Sequence, residues 1–265
     1  MTSTVERPTL PAAAASSVAE AAKTLTRVVT TDTRPARAVA GAVLPPRVAV
    51  RRSRVAETAA LAGLAGFGVL FVLVRLERTA AIDAAITLRV QARRHPLVDT
   101  AMTAASWPGF PPQSRVLPPV IIGGLAAAGL RIEALCQAAA WGTALVSTAI
   151  KAFMGRRRPV AGTDLRVVAA PLGGSSFPSG HVMTYVGTYG FLGVLAESLI
   201  RPVVLRRAVV GGLVGLIALV GPSRIQQGHH WPTDVTASYF LGTSYLVGVV
   251  ALYRRLKARS AGIPR

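Results

Sequence analysis

The sequence is poor in the residues that build disulfide frameworks, metal clusters and soluble surfaces. It has one cysteine, Cys136, which lies within an apolar run. A disulfide framework and a thiolate metal cluster are therefore excluded. Charged residues make up only 15% of the chain, whereas hydrophobic residues make up 51% and the mean hydropathy is +0.47. This composition is too apolar for a typical soluble domain and indicates a membrane protein.

Carboxylates and lysines are also scarce. The chain has 11 acidic against 30 basic residues, which gives a formal net charge of +19. Lysine occurs only at Lys23, Lys151 and Lys257, so arginine supplies nearly all the positive charge. The few carboxylates are mostly scattered, and we expect neither a two-metal site nor another cofactor. Because the basic residues interrupt apolar runs and do not line one polar face, we expect anionic membrane lipids, and no nucleic acid, as partners.

The distribution of apolar runs predicts three regions. Residues 1–54 lack a continuous apolar stretch and are rich in Ala, Thr, Pro and Arg, so we interpret them as a disordered, basic, cytoplasmic tail and not as a signal peptide. Residues 55–256 are predicted to form a membrane domain, and residues 257–265 a basic C-terminal tail. The domain's predicted spans are 58–74, 116–130 (extending toward Phe110), 134–150, the run from His181 to about 196, 208–220 and 235–253.

A further amphipathic segment separates the first two spans. Ile82, Ile86 and Val90 recur at four-residue spacing, while the arginines of this segment fall elsewhere on the turn. This pattern is typical of a helix lying in the membrane interface. No internal repeat is visible. We therefore predict an all-α fold, an integral-membrane six-helix bundle with an interfacial helix between the first two spans.

Three polar clusters stand at span ends. The third span ends at "KAFMGRRRP", the fourth begins at "FPSGH", and "SRIQQGHHWPTD" joins the fifth to the sixth. Because successive spans alternate in direction, all three clusters are expected on one membrane face. Ionisable groups are costly in the membrane, so such a cluster predicts a functional site. Loop charges alone leave the orientation open, but a cytoplasmic N-terminus would place the site at the outer face.

The residue types in these clusters suit phosphate. Lys151 and the arginines supply cationic donors, and a guanidinium can hold two phosphate oxygens at once. Ser179 fits the N-cap of the fourth span, and Gly180 lets the backbone approach an anion closely. In "HHWPTD" a carboxylate follows a histidine at four-residue spacing, an arrangement that can fix the imidazole tautomer and raise its nucleophilicity.

Together the three motifs resemble those of the type 2 phosphatidic acid phosphatase superfamily. They read Lys151-x6-Arg158-Pro159, Pro178-Ser179-Gly180-His181 and Ser223-Arg224-x5-His230-x3-Asp234. The resemblance runs from residue 151 to residue 234, and the six-span layout extends it over most of the chain. A lone Pro-Ser-Gly-His would be a weak signal, whereas three motifs in order on one predicted face form a strong one.

The resemblance implies a role for each matched residue. His230 would be the nucleophile that forms a phosphohistidine, and Asp234 would hydrogen-bond the other nitrogen of its ring. His181 would protonate the leaving oxygen and then activate the hydrolytic water. The phosphate-binding residues would be Lys151, Arg158, Ser179, Gly180 and Arg224. The family needs no metal.

Other polar residues near the motifs have simpler interpretations. Arg156 and Arg157 fit interfacial charges outside the site. His229 is expected at the rim of the pocket, because the motif spacing selects His230. His95 is interpreted as a surface residue. Substrate specificity is expected in residues 75–115 and 160–177, whose pattern does not identify a lipid.

The expected function is that of a multi-pass plasma-membrane lipid phosphatase with its site at the outer face. Prenyl diphosphates such as undecaprenyl diphosphate, phosphatidate and phosphatidylglycerol phosphate are all chemically admissible substrates. A phosphotransferase could use the same phosphohistidine. A non-catalytic anion transporter or membrane scaffold is the alternative from another class, although its charges would be expected nearer mid-membrane and with repeats. The sequence leaves the oligomeric state open.

Overall fold

The computed structural model describes residues 46–92, 95–159, 165–167 and 173–260, with side chains from residue 54 onward. These residues form helices joined by turns, without a strand among them, so the predicted all-α class is confirmed. The helices are α1 (Pro46–Arg75), α2 (Ala80–Ala92), α3 (Pro96–Ser106), α4 (Gln113–Ala127), α5 (Arg131–Trp141), α6 (Thr143–Met154), α7 (Gly180–Thr184), α8 (Gly190–Leu199), α9 (Val203–Gln226) and α10 (Pro232–Ser260). A π-helical turn, Tyr185–Tyr189, joins α7 to α8.

Each predicted span overlaps a helix, but several boundaries differ from the expectation. Helix α1 begins at Pro46, inside the predicted tail, and residues 1–45 of that tail lie outside the described residues. Helix α4 begins at Gln113 and does not reach Phe110, because Pro111 and Pro112 prevent the helix from extending further toward the N-terminus. The third span is divided at Gly142 into α5 and α6. Helix α3 was not predicted.

The outer surface of the described chain carries many large apolar side chains, whereas several of its charged side chains are buried. Three of its helices are long and apolar enough to cross a membrane: Arg54–Arg75 within α1, then α9 and α10. Many large aliphatic side chains of α1 and α9 face outward; Leu61 and Val204, for example, are 66% and 83% exposed. Charged side chains such as Arg224 and Asp234 are fully buried instead. Lipid would cover the exposed aliphatic side chains, whereas exposing the buried charged side chains to lipid would cost a large free energy. The chain is a membrane protein.

Helix α10 lies at the centre and positions the other helices. It makes its most extensive contacts with α1 and also packs against α5, α7 and the π-helical turn. One core cluster joins α7, the turn, α9 and α10 through Val182, Tyr185, Val220 and Val235. The packing brings the C-terminal ends of α6 and α9 together with the N-terminal ends of α7 and α10.

Helix α2 forms where the amphipathic pattern indicated a helix. Its isoleucines face away from the protein, with Ile82 57% exposed, while Asp83 and Thr87 on another face are fully buried. Thr87 Oγ1 donates to the Asp83 carbonyl. The buried face of this helix is therefore polar and packs against other helices of the chain. The spacing of the isoleucines did not indicate this feature.

Candidate active site

The three polar clusters meet at the end of the bundle where α6 and α9 end and α7 and α10 begin. Lys151 comes from the last turn of α6, and Arg158 from the segment that follows it. His181 lies in the first turn of α7, Arg224 in the last turn of α9, and His230 in the short connection to α10. Side-chain contacts link these segments, so the structure brings the residues of all three motifs together.

The ring of His230 is fixed through both nitrogens. Its Nδ1 lies 2.7 Å from the carbonyl oxygen of Ser176. Because a carbonyl only accepts hydrogen bonds, Nδ1 carries the proton and the lone pair of the neutral ring is on Nε2. Burial, together with the positive charges of Lys151, Arg158 and Arg224, holds the pKa of His230 well below its usual value and keeps the ring neutral. Its Nε2 lies 3.3 Å from an Arg158 guanidinium nitrogen.

The position of Asp234 corrects one expectation. Its Oδ2 lies 3.6 Å from His230 Nδ1, within ion-pair range but beyond a hydrogen bond. The Ser176 carbonyl, and not the Asp234 carboxylate, accepts the hydrogen bond from His230 Nδ1. Asp234 Oδ2 accepts instead from the backbone N–H of Trp231, at 2.9 Å. Asp234 thus supplies negative charge close to the ring and does not hold the ring nitrogen directly.

His181 forms the second imidazole of the site and contacts Arg224. A guanidinium nitrogen of Arg224 lies 3.0 Å from His181 Nε2. Since arginine only donates, Nε2 accepts and the ring is neutral in this arrangement. Arg224 is fully buried and also donates to the side-chain oxygen of Gln227. His181 and His230 are close enough to interact electrostatically.

The remaining predicted phosphate ligands surround the two rings. Lys151 Nζ and an Arg158 guanidinium nitrogen both donate to the Ser175 carbonyl, at 2.7 and 3.2 Å. Ser179 occupies the N-cap of α7 as predicted, but its hydroxyl does not cap the helix. That hydroxyl is buried without a hydrogen-bond partner among the described residues. A Cβ at Gly180 would lie 3.6 Å from Ser147 Oγ, which is an ordinary van der Waals contact.

His229 is buried more deeply than a rim position implies. Only 2% of the residue is exposed. Burial, with Arg224 and Arg158 nearby, lowers its pKa to about 3. Neither of its ring nitrogens has a hydrogen-bond partner in the described part of the chain. Its carbonyl accepts from Arg158 at 2.8 Å, so this residue helps to hold the Arg158 guanidinium in place.

Sequence reasoning missed two parts of the site. The first is the segment between α3 and α4, where the Phe110 ring lies 4.9 Å from the His181 ring and 4.7 Å from the Arg224 guanidinium carbon. In the same segment, a Cβ at Gly109 would lie 2.2 Å from His181 Cδ2. The Pro/Gly composition of this segment is typical of a loop, but nothing in the sequence indicates that the segment contacts His181. The second part is Arg156, which contacts Asp234.

A cavity of about 280 Å³ opens beside His181. It lies between the start of α4, helix α6 and helix α7. The residues lining it include Gly109, Arg115, Ser147, Lys151, Gly180 and His181. Ser147 Oγ is buried there with no hydrogen-bond partner among the residues that the structure describes. The cavity therefore brings the His181 imidazole and the Lys151 side chain together with an unpaired hydroxyl group.

Two imidazoles, three cationic side chains and an unpaired hydroxyl suit the transfer of a phosphoryl group. Residues 133–258 match the family model of the PAP2 superfamily, the type 2 phosphatidic acid phosphatases. This region of the chain belongs to that superfamily. The resemblance seen in the three motifs is thereby confirmed, because all three lie within the matched residues, which form a PAP2 domain.

Solved structures are similar to parts of this chain. One is described as the transmembrane PAP2-type phosphatidylglycerolphosphate phosphatase from Bacillus subtilis, with a TM-score of 0.65 and 22% identity over 74% of this chain and 96% of that one. Another is Aquifex aeolicus LpxE, with a TM-score of 0.47 and 23% identity over 64% of this chain and 93% of that one. No match was found among curated protein sequences.

Proposed function

We propose that the PAP2 domain is a membrane lipid phosphatase that removes the terminal phosphate of a lipid phosphate or diphosphate through a phosphohistidine. One observation supports this proposal above the others. Two neutral imidazoles, each with a guanidinium at its Nε2, lie in one buried cationic cluster. A nucleophile and a proton donor must reach the same phosphorus centre, and the guanidinium groups would hold the phosphoryl oxygens between them.

In the first step, the lone pair of His230 Nε2 attacks phosphorus and the bond to the lipid oxygen breaks. Protonated His181 gives its proton to that leaving oxygen. The incoming phosphate favours this protonated form because its negative charge offsets the field of Arg224. The His230 ring becomes cationic while Nδ1–H keeps its bond to the Ser176 carbonyl. The nearby Asp234 carboxylate stabilises that cation.

In the second step, water attacks the phosphohistidine. His181, now neutral, takes the proton from that water, and the phosphorus–nitrogen bond breaks. The bonding electrons return to His230 Nε2, and inorganic phosphate leaves. Lys151, Arg158, Arg224, the Ser179 hydroxyl and the Gly180 N–H would bind the charge that develops on the phosphoryl oxygens in both steps.

The cavity beside His181 supports placing the leaving group there. His181 must reach the leaving oxygen, so the lipid side of the scissile bond would lie between α4, α6 and α7. Prenyl diphosphate, phosphatidate and phosphatidylglycerol phosphate all carry a terminal phosphate that is joined to the rest of the lipid through an oxygen atom. The exposed Arg115 lines the cavity and would suit a head that carries a second phosphate.

We place this site at the outer face of the plasma membrane. The proposal takes all six predicted spans as membrane crossings, with α5 and α6 forming one span and α7 to α8 another. Helix α2 would then lie in the interface, with the exposed side chains of Ile82 and Ile86 toward lipid. The three charged clusters would share the outer leaflet with the lipid headgroups.

The decisive experiment uses the purified protein in detergent with a chelator present. The wild type should release phosphate from at least one member of a panel of lipid phosphates and diphosphates. His230→Ala should abolish that release, because no other group occupies the position of the nucleophile. An alkali-stable, acid-labile phosphoenzyme should form in the wild type and be absent from His230→Ala. His95→Ala, a change at an exposed histidine, is the matched control and should retain activity.

Several outcomes would refute the proposal. One is phosphate release by the wild type that persists in His230→Ala. Another is the absence of release from every lipid in the panel. Phosphate flux across vesicles without hydrolysis would identify a transporter instead.

A further inference from the structure

A single arginine bridges two buried carboxylates that come from different helices. Arg156, in the segment after α6, pairs through one nitrogen with Asp234 of α10. Its other nitrogen lies 2.6 Å from Asp83 Oδ2 of α2. The side chains of Asp83 and Asp234 are 1% and 0% exposed, and that of Arg156 is 13% exposed. The three groups therefore interact in a largely water-free environment, where charge effects are strong.

Asp83 also holds the beginning of α10. Its Oδ1 accepts from the backbone N–H of Thr233 at 2.9 Å, and its Oδ2 accepts from the Thr233 hydroxyl at 2.8 Å. A helix leaves its first N–H groups without partners inside the helix, and a carboxylate stabilises that end. Here the carboxylate comes from a helix about 150 residues earlier in the chain. Asp83 thus fixes the turn that carries His230 and Asp234.

The bridge determines which oxygen of Asp234 faces the nucleophile. Arg156 engages Oδ1, and the N–H of Trp231 engages Oδ2 at 2.9 Å. Oδ2 is then the oxygen that lies 3.6 Å from His230 Nδ1. The carboxylate cannot rotate without losing both contacts, so its charge stays directed at the imidazole.

The charges of the bridge explain why two carboxylates are present. Arg156 alone would neutralise Asp234 and remove its negative charge from the ring of His230. With Asp83 included, two carboxylates and one guanidinium leave one net negative charge. That charge stabilises the cation that forms on His230 during phosphoryl transfer.

We propose that Asp83 and Arg156 are positioning residues that keep the Asp234 carboxylate aimed at His230 and negatively charged. This inference rests on the proposed function of His230. Asp83 lies outside the three motifs and outside the region matched by the family model, residues 133–258. Among the described residues, neither side chain is hydrogen-bonded to His181 or His230, so both would act through Asp234.

A double-mutant cycle tests this coupling. Asp83→Asn keeps the shape of the side chain but removes its charge. We expect kcat to fall about 10- to 100-fold, the size typical of a residue that orients a functional group from behind, with little change in KM. In the background of Asp234→Asn, the same substitution should lower kcat by less than about threefold, because the carboxylate it acts through is gone. Arg156→Lys should retain more activity than Arg156→Gln.

The control is Asp99→Asn on the neighbouring α3. Asp99 is 36% exposed at its side chain, lies 3.9 Å from Arg166 and accepts from Gln226. It is also an aspartate paired with an arginine, although the pair is longer and more exposed. It has no hydrogen-bond path to Asp234 in the described residues, so the variant should keep the wild-type kcat. Thermal unfolding in detergent should show that each variant is folded at the assay temperature.

A second readout does not depend on turnover. Orthovanadate adopts the five-coordinate geometry of phosphoryl transfer, whereas inorganic phosphate resembles the bound product. Asp83→Asn should weaken vanadate binding about tenfold or more and leave phosphate binding nearly unchanged, because only the first ligand bonds to His230. A purely structural role would weaken both ligands together.

The outcomes separate the two proposals. An unchanged kcat and vanadate affinity in Asp83→Asn, or an equal loss in both Asp234 backgrounds, overturns the positioning role. A wild type that hydrolyses no lipid phosphate overturns the proposed function instead. In that case the vanadate comparison alone decides whether Asp83 acts on His230.

Discussion

Gly109 is the residue whose substitution most sharply tests the geometry around His181. An alanine Cβ at this position would lie 2.2 Å from His181 Cδ2 and 2.8 Å from Nε2. Ordinary carbon contacts have separations of roughly 3.5–4.0 Å. The imidazole of Gly109→Ala must therefore move by more than about 1 Å, and Nε2, the nitrogen proposed to donate the proton, must move with it.

The expected cost falls on catalysis. Misplacing a reacting group by about 1 Å lowers the rate on the order of 100-fold, and a well-placed general acid contributes about 10²- to 10⁴-fold. We therefore expect kcat for Gly109→Ala to fall about 100-fold or more. Gly109 lies in a turn at the end of the bundle, so the helices around it should stay folded.

Phosphate release from a lipid phosphate in detergent measures this effect. Gly123→Ala in α4 is the matched control, since a Cβ there meets nothing within 4 Å. That control should keep full activity and gain up to about 1 kcal/mol of helix stability. A Gly109→Ala variant with wild-type kcat would refute the placement of His181 under this turn. A parallel loss in Gly123→Ala would show that the assay reports folding.

The other two predictions concern the charges and the ring that surround the imidazoles. Burial and the cations Lys151, Arg158 and Arg224 lower the pKa of His230. Since only the neutral ring can attack phosphorus, the acid limb of the pH profile, where kcat/KM falls as His230 becomes protonated, should lie below pH ~6.5, the usual pKa of imidazole. Arg158→Gln removes one cation and favours protonated His230, so the limb should move to higher pH; a shift to lower pH would contradict this reasoning. Phe110→Ala removes a ring 4.7 Å from the Arg224 guanidinium and should lower kcat/KM by up to about 30-fold, the equivalent of about 2 kcal/mol. Phe153→Ala, which alters a ring that is 80% exposed, should leave kcat/KM unchanged, and an equal loss in both variants would contradict a specific role for Phe110.

The membrane helices and the motifs were readable from the sequence for local reasons. A helix that faces lipid needs a long apolar run, and such runs coincide with α1, α9 and α10. The three motifs could be identified because each is a short stretch of chain at a helix end. The residues of one motif are therefore close in sequence, and the spacing between them can be read directly. The positions at which helices are interrupted or begin were harder to predict. The division at Gly142 and the start of α4 at Gln113 depend on packing and on prolines at the end of a loop.

The sequence by itself determined the helical class, the superfamily and the residues that could bind a phosphate. Only the tertiary structure decided how those residues are held. In the run "GRRRP" three adjacent arginines look alike, yet Arg156 pairs with two carboxylates and Arg158 faces His230. The Ser176 carbonyl, Gly109 and Asp83 reach the site from segments far from the histidines they affect. Such contacts depend on helix packing, which brings together residues that are far apart in the sequence. No local sequence pattern indicates which distant residues will meet.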